Sequence, residues 1–218
     1  MNKVMCLIVL SVTGSALALT PLGPTTTTLR QGQWEFGAAY TNSEQDVAFE
    51  EGPKVDDAEL ESVLGRITVG LATNRAELFL LAGASNSDDL DTRTQFAVGI
   101  GTRVTTNSGD ELTWGFVAEA LRYKFNLDVG DLQLYEVQLG VGPTWRAGDF
   151  MLYGGPMVQF LFGHIDNDFG GDIDVDQDVY FGGYIGAGLT LFEHLTANVE
   201  GQLTTDSQGV SAGLNWRF

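Results

Sequence analysis

The sequence predicts an all-β protein: a transmembrane up-and-down antiparallel β-barrel, with ten strands as the principal interpretation and eight as the alternative. The first observation behind this is a regular alternation of apolar and polar residues in ten runs between residues 33 and 218, as expected for strands with two unlike faces. The second is a composition with 28 glycines and 13 phenylalanines, which suits strands and tight turns. The third is that no apolar run after residue 18 reaches the ~18 residues of a membrane helix, whereas a membrane strand needs only ~9–11 residues with alternate positions apolar.

The first 18 residues have the features of a secretory signal peptide. Residues 1–3 form a short basic start, residues 4–12 are apolar, and Ala16-Leu17-Ala18 is a small-x-small cleavage sequence. We expect cleavage after Ala18, which would remove the only cysteine, Cys6. The mature protein would therefore have no disulfide or thiol chemistry.

Residues 19–32, LTPLGPTTTTLRQG, are rich in proline and threonine and show no periodicity. This pattern predicts a flexible periplasmic lead-in to the barrel domain, which we expect over residues 33–218.

The predicted strands place apolar residues at alternate positions. They cover residues 33–40, 62–71, 77–84, 93–104, 114–120, 135–145, 150–162, 179–191, 195–203 and 209–218. The fourth is the clearest, with Phe96, Val98 and Ile100 on one face. Pro156 interrupts the seventh and predicts a β-bulge there. If two of the weaker runs were loops, the barrel would have eight strands.

The connections between the predicted strands alternate in length. Those after the second, fourth, sixth and eighth strands are short, whereas those after the first and seventh are long and acidic. An even strand count with both chain ends on the short-turn side is the plan of a transmembrane barrel. Closure pairs the last strand with the first and removes the open edge. Aromatic residues cluster at the short-turn strand ends, as an interfacial girdle would: Trp34, Trp114, Trp145, Phe150, Phe192 and Trp216.

The signal peptide, the repeated ~10-residue amphipathic strands and the terminal NWRF resemble small outer-membrane β-barrel proteins, the group that holds OmpA-type transmembrane domains and their relatives. The resemblance implies a location in the outer membrane of a Gram-negative-type cell, with both termini periplasmic and contact with outer-membrane lipid. It also implies recognition by the barrel-assembly machinery through alternate residues of the last strand. These are Val210, Ala212, Leu214, Trp216 and Phe218.

The polar face of the predicted strands would line the lumen, and its charges nearly balance. They are Glu35, Glu77, Glu119, Glu136 and Glu200 against Arg66, Arg93, Arg103 and Arg217. The strand order predicts two ion pairs, Glu35 with Arg217 and Glu77 with Arg103.

A like-charged pair is predicted across the fifth hairpin, where the turn at residues 126–129 would bring Glu119 opposite Glu136. Their repulsion would require Arg66 or Arg93 to reach across the lumen. Two interpretations of the lumen charges stay open: a structural network that fills a narrow barrel, and the constriction of a small selective channel.

Several functional classes are disfavoured by the sequence. Acidic residues outnumber basic ones 29 to 11, so we expect no nucleic-acid partner. We also expect no enzymatic activity, because no serine stands near a base and no zinc-ligand spacing occurs. His164 and Asp166, with Asp88 and Asp89, loosely resemble the extracellular rim of the omptin proteases, but the order and spacing do not match that family.

An acidic run precedes the eighth strand. Its carboxylates occupy alternate positions: Asp172, Asp174, Asp176 and Asp178. On one face of an extended chain they would be ~6.6 Å apart, and their mutual repulsion favours a bound cation such as calcium, which takes six to eight oxygen ligands. Two features of an EF-hand are missing, because Gln177 and Gly183 stand where its glycine and glutamate would be. A solvated acidic surface loop is the alternative interpretation, and no other cofactor is expected.

Together these observations predict a non-enzymatic outer-membrane barrel with a structural or surface-interaction role. The functional alternative is a narrow, porin-like channel for ions or small solutes. The sequence of the exposed loops does not identify an external ligand.

Overall fold

The computed structural model describes residues 20–47, 55–71, 75–86, 95–109, 111–127, 130–167, 172–205 and 207–218. The chain forms ten strands: β1 Trp34–Val47, β2 Val55–Gly70, β3 Ala76–Asn86, β4 Gln95–Ser108, β5 Leu112–Leu127, β6 Gly130–Ala147, β7 Phe150–Asn167, β8 Asp172–Phe192, β9 Leu195–Thr204 and β10 Ser207–Arg217. Within the described residues, no helix is long and apolar enough to cross a membrane.

Each strand pairs with the next, and β1 pairs with β10 to close the barrel. The β1–β10 ladder is antiparallel and runs without a shift from Glu35 opposite Arg217 to Gln45 opposite Ser207. The prediction of an all-β, ten-stranded antiparallel barrel is confirmed, and the eight-stranded alternative is wrong. The apolar last strand has no open edge because it is hydrogen-bonded on both sides.

The two ends of the barrel differ in their connections. We call the end that carries the β2–β3, β4–β5, β6–β7 and β8–β9 connections the turn end, and the opposite end the loop end. The chain enters β1 and leaves β10 at the turn end, where the backbone N–H of Phe218 donates to the carbonyl of Trp34 at 2.9 Å.

The outer face of the barrel is apolar and the inner face polar, as the alternation predicts. Large apolar side chains stay exposed on the outside, among them Phe96, Phe181 and Ile185. The six aromatic residues of the predicted girdle are also exposed near the turn end: Trp34, Trp114, Trp145, Phe150, Phe192 and Trp216. Acids, amides and hydroxyls on the opposite parity are buried inside the barrel.

The predicted β-bulge at Pro156 is wrong. Pro156 stands opposite Gly183 in an unshifted β7–β8 register, and β6 keeps one register on both sides of the proline. Proline has no N–H to donate, and its ring is accommodated on the exposed outer face without an inserted residue. The register shift in this hairpin lies instead between Leu161 and Gly163, close to the loop end.

The segment that precedes β1 lies inside the barrel. Residues 20–29, which we call the plug, include Leu22 and Thr25, both fully buried, and Leu29, which is 3% exposed. This differs from the expected flexible periplasmic lead-in. A barrel of ten strands encloses more space than the side chains of its wall fill. Glycines on the inner face leave more room for the plug. If Gly140 carried a side chain, for example, its Cβ atom would lie only 3.0 Å from the Leu22 side chain.

Candidate functional site

The plug is the central feature of the lumen, and Glu200 of β9 is one of its anchors. The two oxygens of this carboxylate accept the consecutive backbone N–H groups of Leu22 at 2.9 Å and Gly23 at 2.8 Å. Gln202, two residues along β9, donates its side-chain N–H to Glu200 at 2.7 Å and to the carbonyl of Thr20 at 2.8 Å. Because plug and wall are bonded at both donors and acceptors, the extended segment is held in a single register.

Glu77 of β3 forms a second anchor nearer the turn end. Its Oε1 accepts the backbone N–H groups of Thr28 at 2.5 Å and Leu29 at 2.6 Å. Its Oε2 pairs with Arg103 Nη1 at 3.1 Å, and Nη2 of the same guanidinium donates to the carbonyl of Leu22 at 3.1 Å. Both residues of this buried ion pair, Glu77 and Arg103, therefore bond to the plug.

Arg66 of β2 supplies a third contact. Its Nη2 donates to the carbonyl of Pro21 at 2.6 Å and lies 3.4 Å from Glu119 Oε2. The guanidinium stacks over the Phe79 ring, with Cζ 4.6 Å from the ring centroid. The guanidinium is therefore in contact with an aromatic face as well as with the plug.

Hydroxyl groups complete the contacts along the middle of the plug. Thr27 bonds to Thr105 of β4, with the two hydroxyl oxygens 2.9 Å apart. Thr25 donates to the carbonyl of Gly142 at 2.8 Å, and Arg146 of β6 donates to the hydroxyl of Thr26 at 3.2 Å. The plug is therefore bonded to β2, β3, β4, β6 and β9.

Glu136 of β6 lies beside Thr20, the first residue of the plug, and is 1% exposed. Its carboxylate accepts the Tyr123 hydroxyl at 2.9 Å, the Gln159 amide at 2.9 Å and the Thr20 hydroxyl at 3.3 Å, besides a bond from Gln138. Among the described residues it makes no ion pair. Neutral donors therefore compensate for its lost hydration.

Both predicted ion pairs form. Glu77 pairs with Arg103 as described above, and Arg217 Nη2 lies 3.7 Å from Glu35 Oε2. Arg93 lies outside the described residues.

The predicted juxtaposition of Glu119 and Glu136 is wrong. Glu119 stands opposite Gln138, and Glu136 stands opposite Leu121. The ladder closes with Leu127 opposite Gly130, one position later in the chain than the predicted turn, and this moves the two strands past each other by two residues. Glu119 is instead compensated by Arg66, one of the two arginines expected to reach it.

Several lumen residues were missed because only charged positions were followed along the strands. Gln138 and Gln159 are fully buried, and Gln202 and Tyr123 are almost so. The signal was present, since Gln138 shares the parity of Glu136 and Gln202 that of Glu200. Arg146 was missed for a different reason, because it lies one residue beyond the predicted end of the sixth strand and within the observed β6.

The residues of the predicted assembly signal lie on the outer face of β10. Val210, Leu214, Trp216 and Phe218 are each about half exposed or more, and Ala212 is also exposed. The Phe218 ring meets Phe36 of β1 edge-on, with centroids 5.4 Å apart. Recognition of these residues by an assembly machinery stays a prediction.

The predicted calcium ligands Asp172, Asp174, Asp176 and Asp178 have their backbone in β8, but their side chains lie outside the described part of the structure. The register shift in the β7–β8 hairpin falls between Asp178, opposite Leu161, and Val175, opposite Gly163. It interrupts the regular alternation on which the prediction depends. Among the described side chains, no group of three or more His, Cys, Asp or Glu is arranged to hold a metal ion. The calcium site stays a prediction.

The two histidines of the predicted mature chain lie at opposite ends of the barrel. His164, near the loop end of β7, stacks on Tyr135 with centroids 6.4 Å apart. His194, in the β8–β9 connection at the turn end, lies 6.2 Å from the Trp216 ring. They cannot act in one catalytic group, and the expectation that the protein is not an enzyme stays a prediction.

Comparison with solved structures shows what this architecture is similar to. An outer membrane channel from Pseudomonas putida F1 has a TM-score of 0.56 and 13% identity, over 92% of this chain and 100% of the other. The translocator domain of the autotransporter NalP from Neisseria meningitidis has a TM-score of 0.52 and 13% identity, over 88% and 90%. The β domain of the Bordetella autotransporter BrkA has a TM-score of 0.50 and 12% identity, over 86% and 100%.

No family model and no curated protein matches the chain. At these identities the likeness extends to the fold alone. The chain has the fold of the small outer-membrane β-barrel proteins.

Proposed function

We propose that the protein is an outer-membrane barrel held closed by its own plug, with a structural or surface-interaction role exercised through the loop end. The observation that carries this proposal is the set of buried bonds by which Glu200, Glu77 and Arg66 hold residues 20–29 in the lumen.

Placement in a membrane is supported by the outer face. A continuous surface of exposed residues such as Phe96, Ile185 and Leu203 could not face water around a soluble monomer. The exposed tryptophans near the turn end match an interfacial girdle. We infer that the turn end, with both chain termini, faces the periplasm, and that the loop end faces the outside.

A closed lumen is supported by the packing of the plug. Leu22 fills the space beside Gly140 and Val117, and Thr25 passes so close to β5 that a Cβ at Gly115 would lie 2.5 Å from its carbonyl oxygen. Ions would have to displace a segment whose backbone groups are bonded to buried charges. The free-energy cost of breaking several such bonds is much larger than thermal energy, since each bond to a charged group contributes ~1.5–3 kcal/mol.

A narrow channel that opens when the plug moves is the second candidate. It is favoured by a cavity that extends from the turn end to the plug residues Pro21, Gly23 and Pro24. In that function the plug would be a gate, whereas in the first it is a permanent filler.

Planar-bilayer conductance of the purified barrel distinguishes the two functions. The proposal expects no conductance from the unaltered protein at any moderate voltage, and discrete conductance steps from a variant that lacks residues 20–29. Steps from the unaltered protein would favour the channel and overturn the closed barrel. Fractionation to the outer membrane, with heat-modifiable migration on a gel, tests the location, and a soluble periplasmic product would contradict it.

A further inference from the structure

A cavity of about 280 Å³ lies inside the barrel beside the plug, whose residues Thr27 and Thr28 also line it. Its inner end is formed by Pro21, Gly23 and Pro24 of the plug, and its walls by β1, β2, β3, β4 and β6 to β10. This volume is close to the lower limit of ~300–1,000 Å³ for small-molecule sites. Arg217 and Thr190, which lie near the turn end of the barrel, also line the cavity.

The charge that lines this cavity is predominantly positive. Four arginines contribute to its surface, Arg66, Arg103, Arg146 and Arg217, against one carboxylate, Glu35. Glu77 and Glu119, the partners of Arg103 and Arg66, do not line it. An anion inside would therefore meet Arg66 and Arg103 before the carboxylates that pair with them, whereas Glu35, the partner of Arg217, shares the cavity surface.

Arg146 differs from the other three because, among the described residues, it makes no ion pair. Its guanidinium donates to the hydroxyls of Thr113 and Thr26, each at 3.2 Å, and more weakly to the carbonyl of Thr27 at 3.5 Å. These hydrogen-bond acceptors are all neutral, and a guanidinium has five N–H donors to offer. Arg217, on β10, stands across the lumen from Arg146 on β6 and is about one-third exposed.

The wall between these two arginines is neutral and mostly polar, with Met151 of β7 as an apolar member. Thr190 of β8, Thr196 and Asn198 of β9, and Asn215 of β10 line it. Hydroxyl and amide groups can donate to an oxyanion without adding charge, and the fork of an arginine matches the two oxygens of a carboxylate or phosphate.

We propose that this cavity is a binding site for a small oxyanion, with Arg146 as the principal ligand-binding residue and Arg217 as the second. The ligand enters from the turn end and carries a carboxylate or phosphate group. The site does not require that the barrel conducts, because the plug borders it while the lumen is closed.

Isothermal titration calorimetry on the detergent-purified barrel tests the site. Inorganic phosphate and succinate are titrated separately at constant ionic strength, with chloride as the competing background. We expect saturable binding of at least one of them, and the stronger of the two identifies the chemical class. Arg146→Gln should weaken that binding by about tenfold or more, since a bond to a charged group is lost.

Arg122→Gln is the matched control. Arg122 lies exposed on β5, where it donates to Gln133, and its loss changes the net charge by the same amount. We expect the control to bind like the unaltered protein. Arg146→Lys, which keeps the charge but loses the fork, should bind with intermediate affinity, and it serves if the glutamine variant does not fold.

Two results would overturn the proposal. One is the absence of saturable binding of either anion to the unaltered barrel. The other is equal affinity of the Arg146 variants and the Arg122 control, which would show that the heat arises from general screening of charge.

Discussion

Replacing Glu200 with glutamine should loosen the plug without emptying the lumen of its other contacts. The carboxylate accepts the N–H groups of Leu22 and Gly23 through separate oxygens. Glutamine keeps one oxygen and presents an NH₂ group to the other N–H. One charge-assisted bond is therefore lost, and the remaining one becomes a bond between neutral groups.

The magnitude follows from these two changes. A bond to a charged group contributes ~1.5–3 kcal/mol and a neutral one ~1 kcal/mol, so the plug should lose about 2–5 kcal/mol of binding free energy. At ~1.4 kcal/mol per factor of ten, the released population should rise about 30- to 4,000-fold.

A single cysteine at position 25 measures this population. Thr25 is fully buried in the plug, and the chain has only Cys6, which the predicted cleavage removes. The labelling rate of Thr25→Cys by a water-soluble maleimide should follow the fraction of released plug when release and return are fast. We expect at least about tenfold faster labelling in Glu200→Gln than in the parent.

Glu61→Gln is the matched control for this experiment. Glu61 is exposed on β2 and accepts the Tyr40 hydroxyl at 2.7 Å, remote from the plug. Its replacement should leave the labelling rate unchanged. Equal rates in Glu200→Gln and the control would refute the reasoning that this carboxylate anchors the plug.

Three further predictions concern packing, assembly and metal binding. Leu22→Ala removes a fully buried side chain and should destabilise the folded barrel by about 2–5 kcal/mol, seen as a lower temperature for the heat-modifiable gel shift; an unchanged transition would contradict its packing in the lumen. Phe218→Ser should reduce the folded barrel in the outer membrane and increase a protease-sensitive periplasmic pool, because it removes the terminal apolar ring that packs on Phe36; normal levels would discard the assembly signal. Millimolar calcium should raise the unfolding temperature of the unaltered protein but not of a variant with Asp174→Asn and Asp176→Asn; the same response in both would favour the solvated acidic loop.

The outer wall could be predicted from the sequence because each strand carries its own signal. Residues such as Phe96, Val98 and Ile100 alternate with inward residues, and this period of two depends on no distant partner. The ion pairs of Glu35 with Arg217 and Glu77 with Arg103 followed from strand order alone, since each joins neighbouring strands.

The content of the lumen could not be predicted in the same way. The plug has no periodicity, and its conformation is determined by Glu77 and Glu200, which are distant in the sequence. The register of Glu119 depended on the position of one turn, where an error of one residue displaces the strands by two. Arg146 has the same inward-facing parity as Glu136. The sequence does not show, however, that its guanidinium bonds to the hydroxyls of Thr113 and Thr26.

A disulfide between the plug and the wall tests the occupied lumen most directly. The hydroxyls of Thr27 and Thr105 are 2.9 Å apart, so Thr27→Cys with Thr105→Cys should crosslink in the folded barrel and shift its migration on a non-reducing gel. The control pairs Thr27→Cys with Ser85→Cys. Glu77 bonds to Thr28, next to Thr27, and Ser85 is eight residues from Glu77 along β3, which places Ser85 about 26 Å from Glu77. We expect a crosslink in the first pair and none in the control. A free thiol at position 27 in the folded first pair would contradict it.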